Sequence, residues 1–305
     1  MRIAISGASG LIGSALAADL ARDDVDVARL VRRPAQSADE ISWDPGGTGL
    51  DPADLQGVDA VVHLSGAPVA SGRWTATRKE LLRSSRIDTT RALVAGMAAA
   101  KEASGDAPAG RVPSVLICGS AIGFYGNTGD QVVDESAQPG SGFLADLVRD
   151  WEVASQRALA AGIRVVNIRS GLVLSTRGGI LGSMLLPFRL GLGAKFGSGD
   201  QFMSWIGLAD EVRAIRFLLE HEEVGGPVNL TAPEPVTNAV FTKALAGALH
   251  RPALLTVPAP VLRGALGEVS GELLGSIRAV PTRLTEAGFT FGHPNLGAAL
   301  SPATA

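Results

Sequence analysis

Short apolar runs alternate with amphipathic stretches along the first two-thirds of the chain. Buried strands are predicted for RIAIS, VDVARLV, VDAVVHLSG, SVLICGS and IRVVNIRSG, and a short strand or extended piece for ISWDP. Helices are predicted for LIGSALAADLARD, for GFLADLVRDWEVASQRALAAG and for WTATRKELLRSSRIDTTRALVAGMAAA, the last broken near Ser84. Apolar strands that alternate with helices predict an α/β fold with a doubly wound parallel sheet, covered on both faces.

The strict alternation weakens after Gly171. Residues from about 175 to 240 hold glycine-rich loops and one clear helix, ADEVRAIRFLLEH, and the segment from TNAVFTKALAGALHR onward is mostly helical. We therefore predict a first domain over residues 1–170. Residues 171–305 are predicted to be a mixed segment that returns to the sheet and forms a smaller C-terminal lobe. Residues 103–111, ASGDAPAGR, are predicted to be a surface loop within the first domain.

Composition narrows the class of protein. The 305 residues are 46% hydrophobic and 19% charged, which is enough apolar material for a large core. A net charge of −3 without a long basic run argues against a nucleic-acid partner. The N-terminus enters a strand at once, and no apolar run is long enough for a membrane span. The single cysteine, Cys118, excludes an internal disulfide and a multi-cysteine metal site, so we expect no metal and a cytoplasmic location.

A glycine motif follows the first strand directly. In ISGASGLIG, Gly7 permits a sharp turn, Gly10 permits backbone approach to a pyrophosphate, and Gly13 permits close packing of helix on strand. A plain strand–helix turn is the alternative, but the position between a good strand and a good helix favours nucleotide binding. The residues expected to contact a dinucleotide here are Gly7, Ser9, Gly10, Leu11, Ile12 and Gly13.

The end of the second strand indicates which nucleotide binds. NAD-binding proteins place an acid there, whereas this chain has Arg32 and Arg33 in VRRP. Guanidinium groups suit a ribose 2′-phosphate, which favours NADP(H) over NAD(H). One of the two arginines can equally be a solvated loop residue.

The fourth strand ends in small residues, in VVHLSGAPV. At the carboxyl edge of such a sheet they allow a cofactor to lie against the backbone, so we expect contacts from Leu64, Ser65, Gly66 and Ala67. His63 lies inside the strand and is predicted to be a packed, hydrogen-bonded histidine rather than a catalytic group.

With GASGLIG, HLSGAPV, GSAIGFYG and RSGLVL in order, the chain resembles the extended short-chain dehydrogenase/reductase superfamily. The segments SRIDTT, GFLADLVRDWE, GSGDQFMSWI and RAVPTRLTEAGFTFGHP resemble an atypical epimerase-like group within it. That group includes bacterial proteins named as nucleoside-diphosphate-sugar epimerases or cell-division inhibitors. The resemblance implies a Rossmann-type domain with a smaller C-terminal substrate lobe. It also implies further cofactor contacts from Arg86, Gly119, Ser170, Gly171 and Leu172. For Arg86, contact with a phosphate or an anionic substrate competes with a plain surface position.

The resemblance implies a serine after the fifth strand and a Tyr-x-x-x-Lys pair at the start of the next long helix. Ser120 fits the serine, but that helix carries the apolar residues Phe143 and Leu147 at the corresponding positions. The only tyrosine, Tyr125, lies in the loop, and Gly129 rather than lysine stands four residues after it. We predict that Ser120 binds a substrate oxygen and that Tyr125, if the loop folds inward, donates a proton. With a pKa near 10 it would be a poor base.

A substrate lid is predicted in FGSGDQFMSWIGLAD, because glycines there flank polar and aromatic residues. Trp74, Gln201 and Trp205 are the expected substrate contacts, and for each tryptophan a core position is the alternative.

Two functions stay open at this point. The first is an NADP(H)-dependent reductase or epimerase that acts on an unknown small carbonyl, alcohol or sugar-nucleotide substrate. The second is a non-catalytic NADP(H)-sensing regulator or scaffold, in which the lost Tyr-x-x-x-Lys pair has removed the chemistry. Neither needs a nucleic acid or a membrane, and self-association as a homodimer is left open.

Overall fold

The computed structural model of the protein describes residues 1–104 and 111–301. Its strands, in chain order, are β1 (Arg2–Ser6), β2 (Asp26–Val31), β3 (Glu40–Ser42), β4 (Ala60–His63), β5 (Val115–Ala121), β6 (Val132–Val133), β7 (Arg164–Ser170), β8 (Leu172–Leu174), β9 (Ala194–Phe196), β10 (Phe202–Met203), β11 (Trp205–Gly207), β12 (Gly226–Leu230), β13 (Val236–Thr237), β14 (Leu255–Val257) and β15 (Arg278–Ala279). Seven of them form one sheet in the order β12-β7-β5-β4-β1-β2-β3.

Every neighbouring pair in this sheet is parallel. The strand order reverses between β1 and β4, and ligands of such sheets bind at the carboxyl ends of the strands beside that reversal. The predicted Rossmann-type doubly wound parallel sheet is confirmed.

Helices cover both faces of the sheet. They are α1 (Leu11–Arg22), α2 (Ala76–Ser104), α3 (Phe143–Gln156), α4 (Gly179–Arg189), α5 (Leu208–Glu220), α6 (Asn238–Ala248), α7 (Ala259–Leu266), α8 (Ser270–Leu274), α9 (Thr282–Glu286) and α10 (Leu296–Leu300). In residues 1–104 and 111–301, none of the helices is both long and apolar enough to cross a bilayer.

The long helix α2 runs unbroken, so the predicted break near Ser84 is wrong. The hydroxyls of Ser84 and Ser85 bond back to the carbonyls of Leu81 and Leu82 at 3.4 and 3.3 Å, which satisfies these polar side chains within the helix.

Two apolar cores lie between the sheet and its helices, where strand and helix side chains pack against each other. One lies under α2 and α3 and includes Leu93 and Leu147, and the other lies under α1 and α5 and includes Leu16 and Ile215. A third core, with Phe241 at its centre, holds the C-terminal lobe together. Residues 171–301 contribute strand β12 to the sheet and helix α5 to one of its faces, and they also build this lobe. Most of the loop predicted over 103–111 falls outside the described residues, at 105–110.

Candidate functional site

The turn after β1 requires glycine at positions 7 and 13. Gly7 has a φ of +70°, and a Cβ there would lie 2.7 Å from the carbonyl oxygen of Leu64. A Cβ on Gly13 would lie 2.3 Å from the carbonyl oxygen of Gly7. Gly10 precedes α1 without a side-chain cap, so the first-turn amides of α1 remain open to a ligand. Leu11 and Ile12 turn towards the core shared by α1 and α5.

A cavity of about 600 Å³ opens beside this turn, at the carboxyl ends of β1, β2 and β4. It brings together five of the predicted contacts, which are Gly7, Ser9, Arg32, Arg33 and Ser65. The sequence did not single out the other six members of its wall, among which Arg29, Glu40 and Trp43 have charged or aromatic side chains. Its complete lining is Gly7, Ala8, Ser9, Arg29, Leu30, Val31, Arg32, Arg33, Glu40, Trp43 and Ser65.

The two arginines at the end of β2 differ in their surroundings. Arg33 donates to both oxygens of Glu40, over 2.8 and 2.6 Å, and the amide of Gln36 donates to the same carboxylate over 2.9 Å. These hydrogen bonds lower the pKa of Glu40 to about 2. Arg32 is exposed and, within the described ranges, forms no hydrogen bond or ion pair. Arg33 is therefore held by Glu40 and Arg32 is not, and contact of Arg33 with a 2′-phosphate stays a prediction.

Arg86 lies beneath the loop that follows β4. Its guanidinium donates to the carbonyl of Ala67 over 3.0 Å, and a Cβ on Gly66 would approach it to 3.1 Å. It also lies over the ring of Trp151, 5.2 Å from the centroid. Burial, with a smaller effect of Arg78, lowers the pKa of Arg86 to about 10. No carboxylate in the part of the chain that the structure describes pairs with Arg86, so it is a half-buried cation without a counter-ion. The surface position is thereby excluded.

The four remaining predicted cofactor contacts lie at the carboxyl ends of β5 and β7. A Cβ on Gly119 would lie 3.1 Å from the ring of Trp151, so packing requires this glycine. Gly171 similarly makes room for the carbonyl of Ser204, which a Cβ would approach to 2.6 Å. Leu172 begins β8 and pairs with β11.

Ser170 contacts a buried acid. Its Oγ lies 2.5 Å from Oε1 of Glu211, whose other carboxyl oxygen is buried and has no hydrogen-bond partner among the described residues. Burial, opposed by the Ser170 hydrogen bond, raises the pKa of Glu211 to about 8. At neutral pH Glu211 is therefore largely protonated.

Ser120 belongs to a buried polar network. Its hydroxyl donates to Oε1 of Glu152 over 2.6 Å. Arg169 donates to both oxygens of the same carboxylate, over 2.8 and 2.9 Å. All three side chains are buried, and they join β5, α3 and β7 at the carboxyl edge of the sheet.

Tyr125 lies at the far end of this network. Its hydroxyl donates to Oδ1 of Asn229 over 2.7 Å and accepts from Arg169 over 3.0 Å. Burial, opposed by Arg169, raises the pKa of Tyr125 to about 12. The ring is 4% exposed and packs edge-on against Phe124. The expectation that Tyr125 donates a proton to a substrate is wrong for this structure, because its proton is already held by Asn229.

The helix that would carry the Tyr-x-x-x-Lys pair is α3, and its first residue is Phe143. Phe143 packs edge-on against Trp74, with 5.0 Å between ring centroids, and Lys79 lies 5.1 Å from its centroid. Leu147 is 1% exposed in the core under α3. Both positions are filled by packing side chains that cannot exchange a proton.

The side chains of all three predicted substrate contacts form hydrogen bonds to main-chain carbonyls of the protein itself. Trp205 is fully buried and donates to the carbonyl of Glu234 over 3.1 Å, so the expected substrate contact is wrong there. The amide of Gln201 donates to two main-chain carbonyls, both over 3.1 Å, and it fixes the loop instead of meeting a ligand. Trp74 is 8% exposed and donates to the carbonyl of Val69 over 3.0 Å. The core position is the outcome for both tryptophans.

His63 is a packed histidine, as predicted. Its Nδ1 lies 2.6 Å from the hydroxyl of Ser6, and its ring meets Trp43 edge-on with 6.0 Å between centroids. Burial lowers the pKa of His63 to about 4, so the ring is neutral near pH 7.

The sequence contained weak signals for the residues that were missed. Glu152 is an acid on the apolar stripe of α3, and Arg169 interrupts the apolar run VVNIRS. A charged residue inside an apolar pattern usually has a buried partner. Which charge would meet which could not be read from spacing alone.

Two family models match parts of the chain. Residues 3–231 match the model of the NAD dependent epimerase/dehydratase family, and residues 257–302 match a domain of unknown function (DUF1731). The chain is 48% identical over 303 residues to the epimerase family protein Mb2239 of Mycobacterium bovis, covering 99% of this chain and 97% of that protein.

Two solved structures have the same architecture. The human epimerase family protein SDR39U1 (isoform 2), crystallised with NADPH, matches with a TM-score of 0.88 at 33% identity, covering 100% of this chain and 99% of that one. A nucleoside-diphosphate sugar epimerase from Corynebacterium glutamicum matches with a TM-score of 0.79 at 32% identity, covering 100% of this chain and 58% of that one. On these grounds the chain belongs to the NAD dependent epimerase/dehydratase family.

Proposed function

We propose that the protein binds NADP(H) in the crevice beside the Gly7–Gly13 turn and acts as a reductase or epimerase on a small carbonyl, alcohol or sugar-nucleotide substrate. The observation that carries the proposal is Arg32, an exposed cation that lines the same cavity as Gly7, Ala8 and Ser9 of the turn before α1. A ribose 2′-phosphate is the group that such a cation binds best. The NADPH in the crystals of the human relative supports the same choice.

The residues present fit a dinucleotide. Gly7 and Gly13 allow close packing of the turn against β4 and α1, and Ser9 and Ser65 line the cavity beside this turn. Arg86 adds a cation without a carboxylate partner at the β4 loop, where it can meet a phosphate or an anionic substrate. When bound, the cofactor supplies hydride transfer.

The protein's own residues then act on the substrate. Ser120, with its proton donated to Glu152, offers lone pairs to a substrate hydroxyl. Tyr125 and the apolar pair at the start of α3 offer no proton. General acid–base help is worth about 10²–10⁴ in rate, so we expect slow hydride chemistry with intact cofactor binding.

A second candidate is a non-catalytic NADP(H)-sensing regulator or scaffold. The packing of Phe143 and Leu147 favours it, because the two catalytic positions have become part of the core. It predicts NADPH binding without turnover and a protein partner whose binding depends on the redox state of the cofactor. The cytoplasmic location and a homodimer remain predictions.

Calorimetric titration with NADPH and NADH tests the common part of both candidates. We expect NADPH to bind about tenfold or more tightly than NADH, and Arg32→Ala to remove that difference. Asp88→Asn, which loses only an exposed ion pair with Arg91 on α2, serves as the control. Absence of NADPH binding at millimolar concentration would contradict the proposal.

Turnover separates the two candidates. A screen of carbonyl, alcohol and sugar-nucleotide substrates should give NADP(H) oxidation or reduction that Ser120→Ala lowers if the protein is an enzyme. If NADPH binds but no substrate is turned over, and a pulled-down partner distinguishes NADPH from NADP, the regulator is the correct function.

A further inference from the structure

Glu40 is an acid in the wall of the nucleotide cavity, and it comes from β3. In NAD-binding proteins of this fold an acid at the end of β2 accepts hydrogen bonds from the adenosine ribose. Here β2 ends in arginines, but the register of β2 on β3 places Glu40 opposite Arg29, so its side chain reaches the same cavity. The crevice therefore holds an acid of the NAD type beside an arginine of the NADP type.

Arg33 covers this acid. Its two terminal nitrogens donate to the two oxygens of Glu40 over 2.8 and 2.6 Å, and the backbone amide of Gln36 also donates to Oε2. Arg33 donates in addition to the carbonyl of Pro34, over 3.0 Å. The forked end of the guanidinium is thus engaged, and the charges of Arg33 and Glu40 offset each other.

Charge in the rest of the wall is limited. Arg29 lies 3.6 Å from Asp39, which leaves Arg32 as the cation of this wall without a partner in the described residues. A phosphorylated ribose would therefore find one uncompensated positive charge, and a carboxylate masked by a neighbouring arginine.

Resting on the proposed function, we propose that Glu40 determines the preference between NADPH and NADH, and that Arg33 acts by masking Glu40 rather than by gripping the 2′-phosphate. With the pair intact, Arg32 alone selects the phosphate. When Arg33 is removed, the bare carboxylate repels the 2′-phosphate and accepts from the 2′-hydroxyl of NADH instead. Glu40 is in this sense a specificity-determining residue, and in the unmodified protein Arg33 masks its charge.

Four variants titrated with NADPH and with NADH test this inference. For Arg33→Ala we expect NADPH affinity to fall about tenfold and NADH affinity to rise. For Glu40→Gln we expect NADPH affinity to stay within about twofold of that of the unmodified protein, because Arg33 then has no carboxylate to mask. The double variant Arg33→Ala/Glu40→Gln should return NADPH affinity close to that of the unmodified protein, because no carboxylate is left to mask. Arg32→Ala should lose NADPH affinity with NADH affinity unchanged.

The pattern of coupling decides the outcome. If Arg33→Ala weakens NADPH binding equally with and without Glu40, Arg33 contacts the phosphate directly and the inference is overturned. If Arg33→Ala leaves the ratio of the NADPH and NADH affinities unchanged, the inference is overturned as well. Binding of neither cofactor to the unmodified protein would instead overturn the proposed function and this inference together. Thermal melting of each variant, with Asp88→Asn as the control, shows whether the fold is intact before affinities are compared.

Discussion

The hydroxyl of Ser120 donates to the carboxylate of Glu152 across 2.6 Å. Arg169 donates two further hydrogen bonds to the same carboxylate, which keeps Glu152 ionised. An ionised carboxylate only accepts hydrogen bonds, so the hydroxyl proton of Ser120 must point to Glu152. Ser120 can then only accept from a ligand. A ligand group that meets it should be a donor such as a hydroxyl or an amide, and a bare carbonyl oxygen would find no proton there.

Removing the charge of Glu152 should be costly. Glu152→Gln leaves Arg169 buried without a counter-ion, and breaking such a pair costs about 3–5 kcal/mol of unfolding free energy. Chemical denaturation measures the loss. Asp150→Asn is the matched control on the same helix, because Asp150 forms half-exposed ion pairs with Arg83 and Arg149. It should cost less than about 1 kcal/mol. Equal effects of the two changes would show that the network does not carry the stability assigned to it.

Tyr125 should titrate only at extreme pH. Its pKa of about 12 lies above the value near 10 of an unfolded chain, so the folded state favours the neutral phenol and loses stability as pH rises above about 10. Because it is the only tyrosine, the ultraviolet absorbance of tyrosinate reports this residue alone. We expect no signal from folded protein at pH 10 and a clear one from protein unfolded in denaturant.

The variant Tyr125→Phe completes that test. It should show no tyrosinate absorbance at any pH and should lose about 1–3 kcal/mol of stability, since Asn229 is left with an unsatisfied buried oxygen. NADPH affinity should not change. A normal titration of folded protein near pH 10 would mean that the hydroxyl reaches solvent.

Glu211 should give the protein a downward stability slope with pH. The pKa of Glu211 in the folded protein, about 8, exceeds the ordinary glutamate value of 4.5, so between these two pH values the folded state binds one more proton than the unfolded chain. Stability from this group is full at low pH and is lost as pH rises towards 8. Glu211→Gln should remove this slope and gain a few kcal/mol relative to the unmodified protein at alkaline pH.

Denaturant unfolding at several pH values measures that effect. Glu220→Gln, at the exposed end of the same helix, is the control and should keep the original slope. Parallel curves for the unmodified protein and Glu211→Gln would contradict the buried, protonated state of this acid.

The glycine turn should tolerate no methyl group. Gly13→Ala puts a Cβ 2.3 Å from the carbonyl oxygen of Gly7, so helix α1 must move away from the turn. We expect a loss of about 1–3 kcal/mol of stability and at least tenfold weaker NADPH binding, measured by denaturation and calorimetry. Gly264→Ala in α7, where a Cβ meets nothing within 4 Å, should be neutral or stabilising by up to about 1 kcal/mol. Normal NADPH binding by Gly13→Ala would rule out the turn as the cofactor site.

The sequence by itself determined the layered sheet and the place of the crevice. Apolar strand patterns and the roles of Gly7 and Gly13 depend on local sterics and on burial, and both can be read from neighbouring residues. The resemblance implied a Tyr-x-x-x-Lys pair at the start of α3, and the sequence itself showed Phe143 and Leu147 at those two positions. His63 was assigned correctly because it lies inside an apolar strand.

Only the tertiary structure decided which polar groups meet. Tyr125 bonds Asn229, 104 residues later in the chain, and Glu152 bonds Arg169 from a neighbouring strand. The register of β2 on β3 places Glu40 within hydrogen-bond distance of Arg33, while Arg32 has no hydrogen bond or ion pair among the described residues. Such pairings depend on which side chains face each other once distant segments pack. Sequence spacing fixes the period of one element but not the position of its neighbours.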